Sequence, residues 1–342
     1  VALIGFGGVN RALAEIIHHD GAGLAAELGF TLRVTAITDL RFGSLVNADG
    51  VGLSDVFAMA PGETFAGFPG GSETCSNEEV IRTVSADIIA EATFTNPADG
   101  EPALSHIRWA LESGKSACTT NKGPVAFAGA ELKALAAANG VHFEYEGAVM
   151  SGTPVIRLAH GPLAGAGITA FEGILNGTSN YILGRMEAGL DQAAAIKEAQ
   201  ELGFAEADPT ADIGGGDVRL KVTILSNELL GARLSTGDVS VEGITGITPE
   251  AVAAATAGGK HWKLIGSGKL NADGSVSARV APALLDAAHP LAGVSGSANA
   301  VTFDTKYLGK VTVSGPGAGR TETAYALLSD IIAIDAATKD RA

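Results

Sequence analysis

Between Glu206 and Asp217 the chain sets four carboxylates, Glu206, Asp208, Asp212 and Asp217, and Lys221 follows Asp217 by four positions. Asp208-Pro209 and the run Gly214-Gly215-Gly216 interrupt any regular element across most of this stretch. Val218, Val222, Leu225 and Leu229 then recur at helical spacing. The acids therefore sit on a loop that feeds a helix, and Asp217 and Lys221 share one helix face near its start. A cationic lysine can stabilise, and then protonate, an oxygen on which negative charge builds. The bland reading of the same residues is an i,i+4 ion pair on a solvated surface, which is common and weak.

A second chemical feature opens the chain. An apolar run at 1–4 precedes Gly5-Phe6-Gly7-Gly8-Val9-Asn10, and Leu13, Ile16 and Ile17 continue as a helical pattern. Strand, glycine turn and helix are the context in which such a motif holds a dinucleotide. Gly5 makes the tight turn, and Gly7 lets the backbone approach a pyrophosphate at the positive helix N-terminus. Asn10 replaces the usual third glycine. The competing reading is a plain βα turn. A strand at 32–38 ends at Asp39, an acid placed to bind an adenine ribose diol and favour NAD. Arg41 could instead hold the 2′-phosphate of NADP, so the choice stays open. His18 and His19 fall in an expected loop at 18–23 and read as surface residues.

Further apolar strands at 87–92, 115–119 and 142–145 alternate with helical segments, which predicts a doubly wound parallel sheet. Ligands bind such sheets at the carboxyl ends of the strands, which gathers the glycine turn, Thr93 and Lys122 around one crevice. After residue 146 the texture changes. The loop Glu146-Gly147-Ala148-Val149-Met150-Ser151-Gly152-Thr153-Pro154 offers only oxygen ligands, as a hard cation would need, or is a simple hinge. A strand at 168–174 leads to Asn176, Gly177 and Thr178, with Ser179 or Asn180 able to cap the next helix. Strands at 263–268, 275–280 and 300–305 suggest a largely antiparallel sheet. A last strand at 311–314 precedes a second glycine turn, in which Gly319 could approach the cofactor, and a final helix.

The elements that must carry these residues fit a chain of 342 residues, long enough for two domains. Hydrophobic residues make up 46% and charged residues 18%, so sizeable cores can form. The net charge of −15 argues against general affinity for nucleic acid or anionic lipid, though a local nest of N–H groups can still hold an anionic cofactor. Cys75 and Cys118 are the only cysteines, which fits a reducing, cytoplasmic setting. No apolar run spans a bilayer, no signal-peptide layout is visible, and leading residues are expected to be missing because no initiator Met is present.

Four motifs together resemble the homoserine dehydrogenase family: Gly5-Phe6-Gly7, Thr120-Asn121-Lys122-Gly123-Pro124, the run 173–181 through Asn176-Gly177-Thr178, and the whole of 199–221. The resemblance implies reversible NAD(P)-dependent interconversion of L-homoserine and L-aspartate 4-semialdehyde, in threonine and methionine biosynthesis. It implies a Rossmann-like doubly wound parallel sheet completed by the C-terminal segment, with an inserted α+β substrate and dimerisation domain. The expected bounds are 1–146 with 312–342 for the dinucleotide domain and 147–311 for the inserted one. Lys221 looks like the proton donor, with Asp217 beside it and Lys122 as a second active-site lysine. Glu206, Asp217, Asn176, Gly177 and Thr178 look like substrate contacts. Gly5, Phe6, Gly7, Gly8, Val9, Asn10, Asp39, Arg41, Thr93, Lys122 and Gly319 fall in the cofactor region. Glu146, Val149, Ser151 and Thr153 align with a loop for Na⁺ or K⁺. A homodimer without a C-terminal regulatory domain is expected. Two other functions compete: a dinucleotide-binding regulatory homologue without turnover, and a dehydrogenase for another short amino acid.

Overall fold

The computed structural model describes residues 1–339. The chain forms two compact units, one of Val1–Ala148 with the segment from Gly319 onward, the other of Val149–Ala318.

The first unit is built on a seven-stranded sheet. Its strands are β1 (Ala2–Ile4), β2 (Ala36–Asp39), β3 (Gly43–Val46), β4 (Gly71–Ser72), β5 (Ile88–Glu91), β6 (Ser116–Thr119) and β7 (Phe143–Glu144), in the order β4-β3-β2-β1-β5-β6-β7. The β2-β1-β5-β6-β7 portion is parallel, and β3 and β4 extend it as an antiparallel edge. β1, β2, β5 and β6 are buried along their whole length, as strands covered on both faces must be. The helices Gly8–Leu28, Ala103–Glu112 and Lys122–Ala138 cross between the parallel strands. The chain runs outward from β1 to β2 and then resumes on β1's other side with β5. The topological switch point therefore lies between the ends of β1 and β5, where this class of sheet binds its ligand.

One expectation needs correcting in this unit. Residues 18–23 are not a loop: the first helix runs unbroken to Leu28 and stops at Gly29, whose φ of 75° caps it. Gly21 and Gly23 weaken a helix by only about 1 kcal/mol each, and no proline ends it sooner. The C-terminal segment completes this unit with the helix Arg320–Lys339, which packs Ala324, Leu327, Leu328, Ile331 and Ile334 into one core with Leu3, Leu13, Ile37 and Cys118.

The second unit carries a six-stranded sheet of β8 (Ile168–Ile174), β9 (Ser240–Val241), β10 (Lys260–Leu270), β11 (Val276–Asp286), β12 (Ala298–Thr305) and β13 (Gly309–Pro316). The order is β13-β12-β8-β10-β11-β9, antiparallel except for the β9–β11 pair. β13 is the strand expected at 311–314, and it pairs with β12 from Thr305↔Gly309 to Ala298↔Pro316. A turn of three residues joins the two, so the chain folds straight back on its neighbour as a hairpin. The helix Gly216–Leu230 lies against this sheet. A Cβ at Gly266 in β10 would stand 2.6 Å from Val222 and 2.8 Å from Val218, so only glycine lets the helix approach so closely. No helix among the described residues is long and apolar enough to cross a membrane.

Candidate active site

In the first unit, the glycine turn leaves β1 at the switch point. Gly5 has φ 80°, and a Cβ there would meet the Ala92 carbonyl oxygen at 2.8 Å. Both the turn and the close approach to the β5 end thus require glycine. Gly7 stands at the N-cap of a 21-residue helix without a side-chain cap, and a Cβ on it would touch nothing within 4 Å. A helix N-terminus open in this way suits a phosphate. Gly8 is exposed, and Gly7 and Val9 are half-buried. Phe6 is a core residue, packed edge-on to Phe65 with centroids 6.4 Å apart.

Asn10 has a different task from the glycine it replaces. Its side chain is fully buried and its amide donates to the carbonyls of Ile4, Gly5 and Ala90 at 2.9–3.1 Å. It braces the ends of β1 and β5 from behind. Asp39 also serves the turn: Oδ2 accepts from the Phe6 N–H at 3.1 Å, and Oδ1 from the Arg41 N–H at 2.8 Å. Arg41 extends outward, with its side chain 70% exposed. Arg320 donates from Nε to the Gly8 carbonyl at 3.1 Å, which brings the segment after Gly319 beside the glycine turn.

Glu91, at the end of β5, was not foreseen. Fully buried, it accepts from the Thr93 N–H at 2.8 Å, from the Thr93 hydroxyl, and from the Thr119 hydroxyl at 2.7 Å. Thr119 in turn accepts from the Asn121 N–H at 2.9 Å, and Asn121 caps the helix that begins at Lys122. One carboxylate thus sets both strand ends that carry Thr93 and Lys122. The buried His106 ring stands 3.7 Å from it. The signal for Glu91 was an acid closing an otherwise apolar strand.

In the second unit the surface-pair reading of Asp217 and Lys221 fails, because Lys221 is 6% exposed. Its ammonium lies 2.9 Å from Asp217 Oδ2 and donates to the Leu175 carbonyl at 2.5 Å. A buried ammonium needs such acceptors. Asn176 Nδ2 joins them, donating to Asp217 Oδ2 at 3.0 Å and to Asp212 Oδ1 at 2.6 Å, while its Oδ1 caps the helix Gly177–Glu187 through the Ser179 N–H at 2.8 Å. Asp212 therefore belongs to this cluster, although only Asp217 and Glu206 were expected from the acidic loop. Glu206 is exposed on the loop ahead of the helix Thr210–Ile213, and among the described residues no hydrogen bond joins it to the cluster. Thr178 donates to the Phe204 carbonyl at 2.5 Å and so ties that loop to the 176–178 turn.

The 146–154 loop contains the short helix Gly147–Met150 and Ser151 at φ 53°. Glu146 belongs to the first unit, where its N–H donates to Asp330 at 3.3 Å. Val149, Ser151 and Thr153 belong to the second and are buried, and the Thr153 hydroxyl donates to the Pro316 carbonyl at 2.9 Å. These are oxygen donors of the kind a hard monovalent cation takes.

A parallel sheet with a bare glycine turn at its switch point, and a second unit holding a buried lysine among carboxylates, define a two-unit protein of the dinucleotide-fold class. The sequence profile of homoserine dehydrogenase matches residues 154–332. The chain is 58% identical over 335 residues to an NAD(+)-dependent homoserine dehydrogenase of Pseudomonas canavaninivorans, covering 98% of this chain and 95% of that one. A crystal structure of a homoserine dehydrogenase from Thiobacillus denitrificans superposes with a TM-score of 0.85 at 31% identity, covering 99% of this chain and 73% of that one. A hyperthermophilic archaeal homoserine dehydrogenase in complex with NADPH gives 0.82 at 28% identity, covering 98% and 97%. The chain belongs to the homoserine dehydrogenase family.

Proposed function

We propose that this protein is an NAD(P)-dependent oxidoreductase that interconverts L-homoserine and L-aspartate 4-semialdehyde, with Lys221 as the proton donor. The single observation that carries the assignment of roles is the buried Lys221 ammonium held between Asp217 and the Leu175 carbonyl. The dinucleotide, when bound, supplies or takes up the hydride. In the reductive direction, Lys221 gives its proton to the aldehyde oxygen as negative charge gathers there. Asp217 and Leu175 hold the ammonium in one direction, and Asn176 holds Asp217. Asp212 and Glu206 offer carboxylates for the substrate's own ammonium. Gly177 and Thr178 shape the turn on which Asn176 sits.

The first unit takes the dinucleotide and the second takes the substrate. Gly5–Asn10, Thr93, Lys122 and Gly319 line the dinucleotide side, and Lys122 adds a positive charge at the end of β6. Asp39 favours NAD over NADP, in line with the NAD(+)-dependent relative. Val149, Ser151 and Thr153 supply oxygens to Na⁺ or K⁺. The active form is a homodimer paired through the second unit, whose strands leave Val241, Leu270 and Leu284 exposed. Its setting is the cytoplasm, which suits the free thiols of Cys75 and Cys118.

The deciding experiment is a panel of hydroxy and amino acids assayed at 340 nm with each dinucleotide. Homoserine should be oxidised far faster than any other member. Equal or better turnover of a different amino acid would redirect the assignment, and dinucleotide binding without turnover of any member would make this a regulatory homologue.

A further inference from the structure

Behind the 176–178 turn lies a second buried lysine that the proposed chemistry does not use. Lys263, on β10, is 3% exposed and makes no carboxylate ion pair among the described residues. Its ammonium donates to the Asn180 Oδ1 at 3.1 Å and to the Val294 carbonyl at 2.7 Å. Burial pushes its pKa below the ordinary lysine range, with Glu187 opposing that shift more weakly. Withdrawing an ammonium from water onto neutral acceptors is costly. A leucine or methionine would fill a β-strand position in a core at no such cost.

What this lysine and Asn180 hold is a single stretch of backbone. Asn180, 1% exposed, donates from Nδ2 to the Gly296 carbonyl at 2.9 Å and to Val294 at 3.3 Å. The two side chains thus collect the carbonyls of the loop that joins β11 to β12. That loop presses on the turn: a Cβ at Gly177 would stand 2.5 Å from the Ser297 carbonyl oxygen. Gly177 lies between Asn176 and Thr178. On its near side are the Leu175 carbonyl and the Asn176 amide, which hold Lys221 and Asp217.

We infer that Lys263 and Asn180 form a clamp that seats the 294–297 loop against Gly177, and that Lys263 is a positioning residue for the Lys221–Asp217 pair. The inference rests on the proposed reaction for its kinetic consequence, though not for its structural one. The clamp acts at one remove. It fixes the loop, the loop fixes the turn, and the turn aims the two groups that hold the Lys221 ammonium. A misplacement of about 1 Å at such a distance from the chemistry can cost on the order of a hundredfold.

The test uses Lys263→Met, which keeps the length and apolar stem and removes the donors, and Gly177→Ala, which pushes the loop from the opposite side. For folded protein, Lys263→Met should lower kcat for homoserine about tenfold or more and leave the KM for the dinucleotide unchanged. Gly177→Ala should reproduce that pattern, and the double variant should lose less than the product of the two, because both act on one contact. Amide exchange at Ser179, whose N–H is capped by Asn176, should accelerate in Lys263→Met while exchange in the first unit stays as in the parent. A purely structural lysine would change the melting temperature but not kcat or Ser179 exchange in the folded protein. Parental kcat and parental Ser179 exchange together would overturn the clamp. An inactive parent protein would instead overturn the proposed function, and Ser179 exchange alone would then decide the clamp.

Discussion

The two functional regions of this molecule are made from different material. In the first unit the crevice is lined by backbone: a glycine turn, an uncapped helix N-terminus and strand ends, with Asn10, Asp39 and Glu91 spent on bracing that backbone. In the second unit the cluster is made of side chains, with the buried Lys221 and Asn176 bonded to the half-buried Asp217 and Asp212. Backbone N–H groups bind a phosphate whatever residues carry them, so the first region depends on chain geometry. The second depends on the identity and protonation of each group. Substitutions should therefore fail in different ways: loss of binding in the first unit, loss of turnover in the second.

The sharpest break is expected at Lys221. Lys221→Ala should lower kcat by roughly 10²–10⁴-fold, the usual value of a positioned acid, while calorimetric binding of the dinucleotide stays at the parental Kd. Turnover near the parental level at every pH would remove Lys221 from the chemistry. Gly5→Ala should fail in the opposite sense. A side chain at φ 80° within 2.8 Å of the Ala92 carbonyl should cost about 1–3 kcal/mol, read as weaker dinucleotide binding and a lower melting temperature. An alanine variant that binds as the parent does would show that the turn need not be tight.

Asp39→Ala is a finer probe. It removes the acceptor for the Phe6 N–H as well as the proposed ribose contact, so binding of both cofactors should weaken, with the NAD/NADP preference falling severalfold as the negative charge is lost. An unchanged ratio would assign Asp39 to the turn alone. The smallest effect is one of pH. Burial depresses the Lys263 pKa in the folded protein, so between that lowered value and about 10.4 the unfolded chain binds more protons. Stability should therefore rise with pH through that interval. Urea titrations of Lys263→Met should lack this rise, and an identical slope in both proteins would show that Lys263 does not titrate differently on folding.

Legibility followed the same division. The glycine turn, the apolar parallel strands and the helix carrying Lys221 could be read directly, because each is a local pattern with a local cause. The N-terminal helix was cut short at 18–23 because two glycines resemble a loop when only their neighbours are visible. The 311–314 strand could be read as a strand, but not its partner, since a period-2 pattern does not name the strand it pairs with. Glu91 and Lys263 were missed, and Asn180 was read only as a helix cap, because each lies in an ordinary strand or helix, and only the fold surrounds it with acceptors or donors.

The order of residues alone determined the βα alternation, the family motifs and the i,i+4 pairing of Asp217 with Lys221, all of them consequences of spacing along one element. Only the tertiary structure decided that Lys221 is buried beside a half-buried Asp217 rather than solvated, that Asp212 joins them while Glu206 stays exposed, and that Asn10 braces two strands. Burial and partner choice arise where segments distant in the chain meet, and that meeting sets the energy of a charge far more than its neighbours in sequence do.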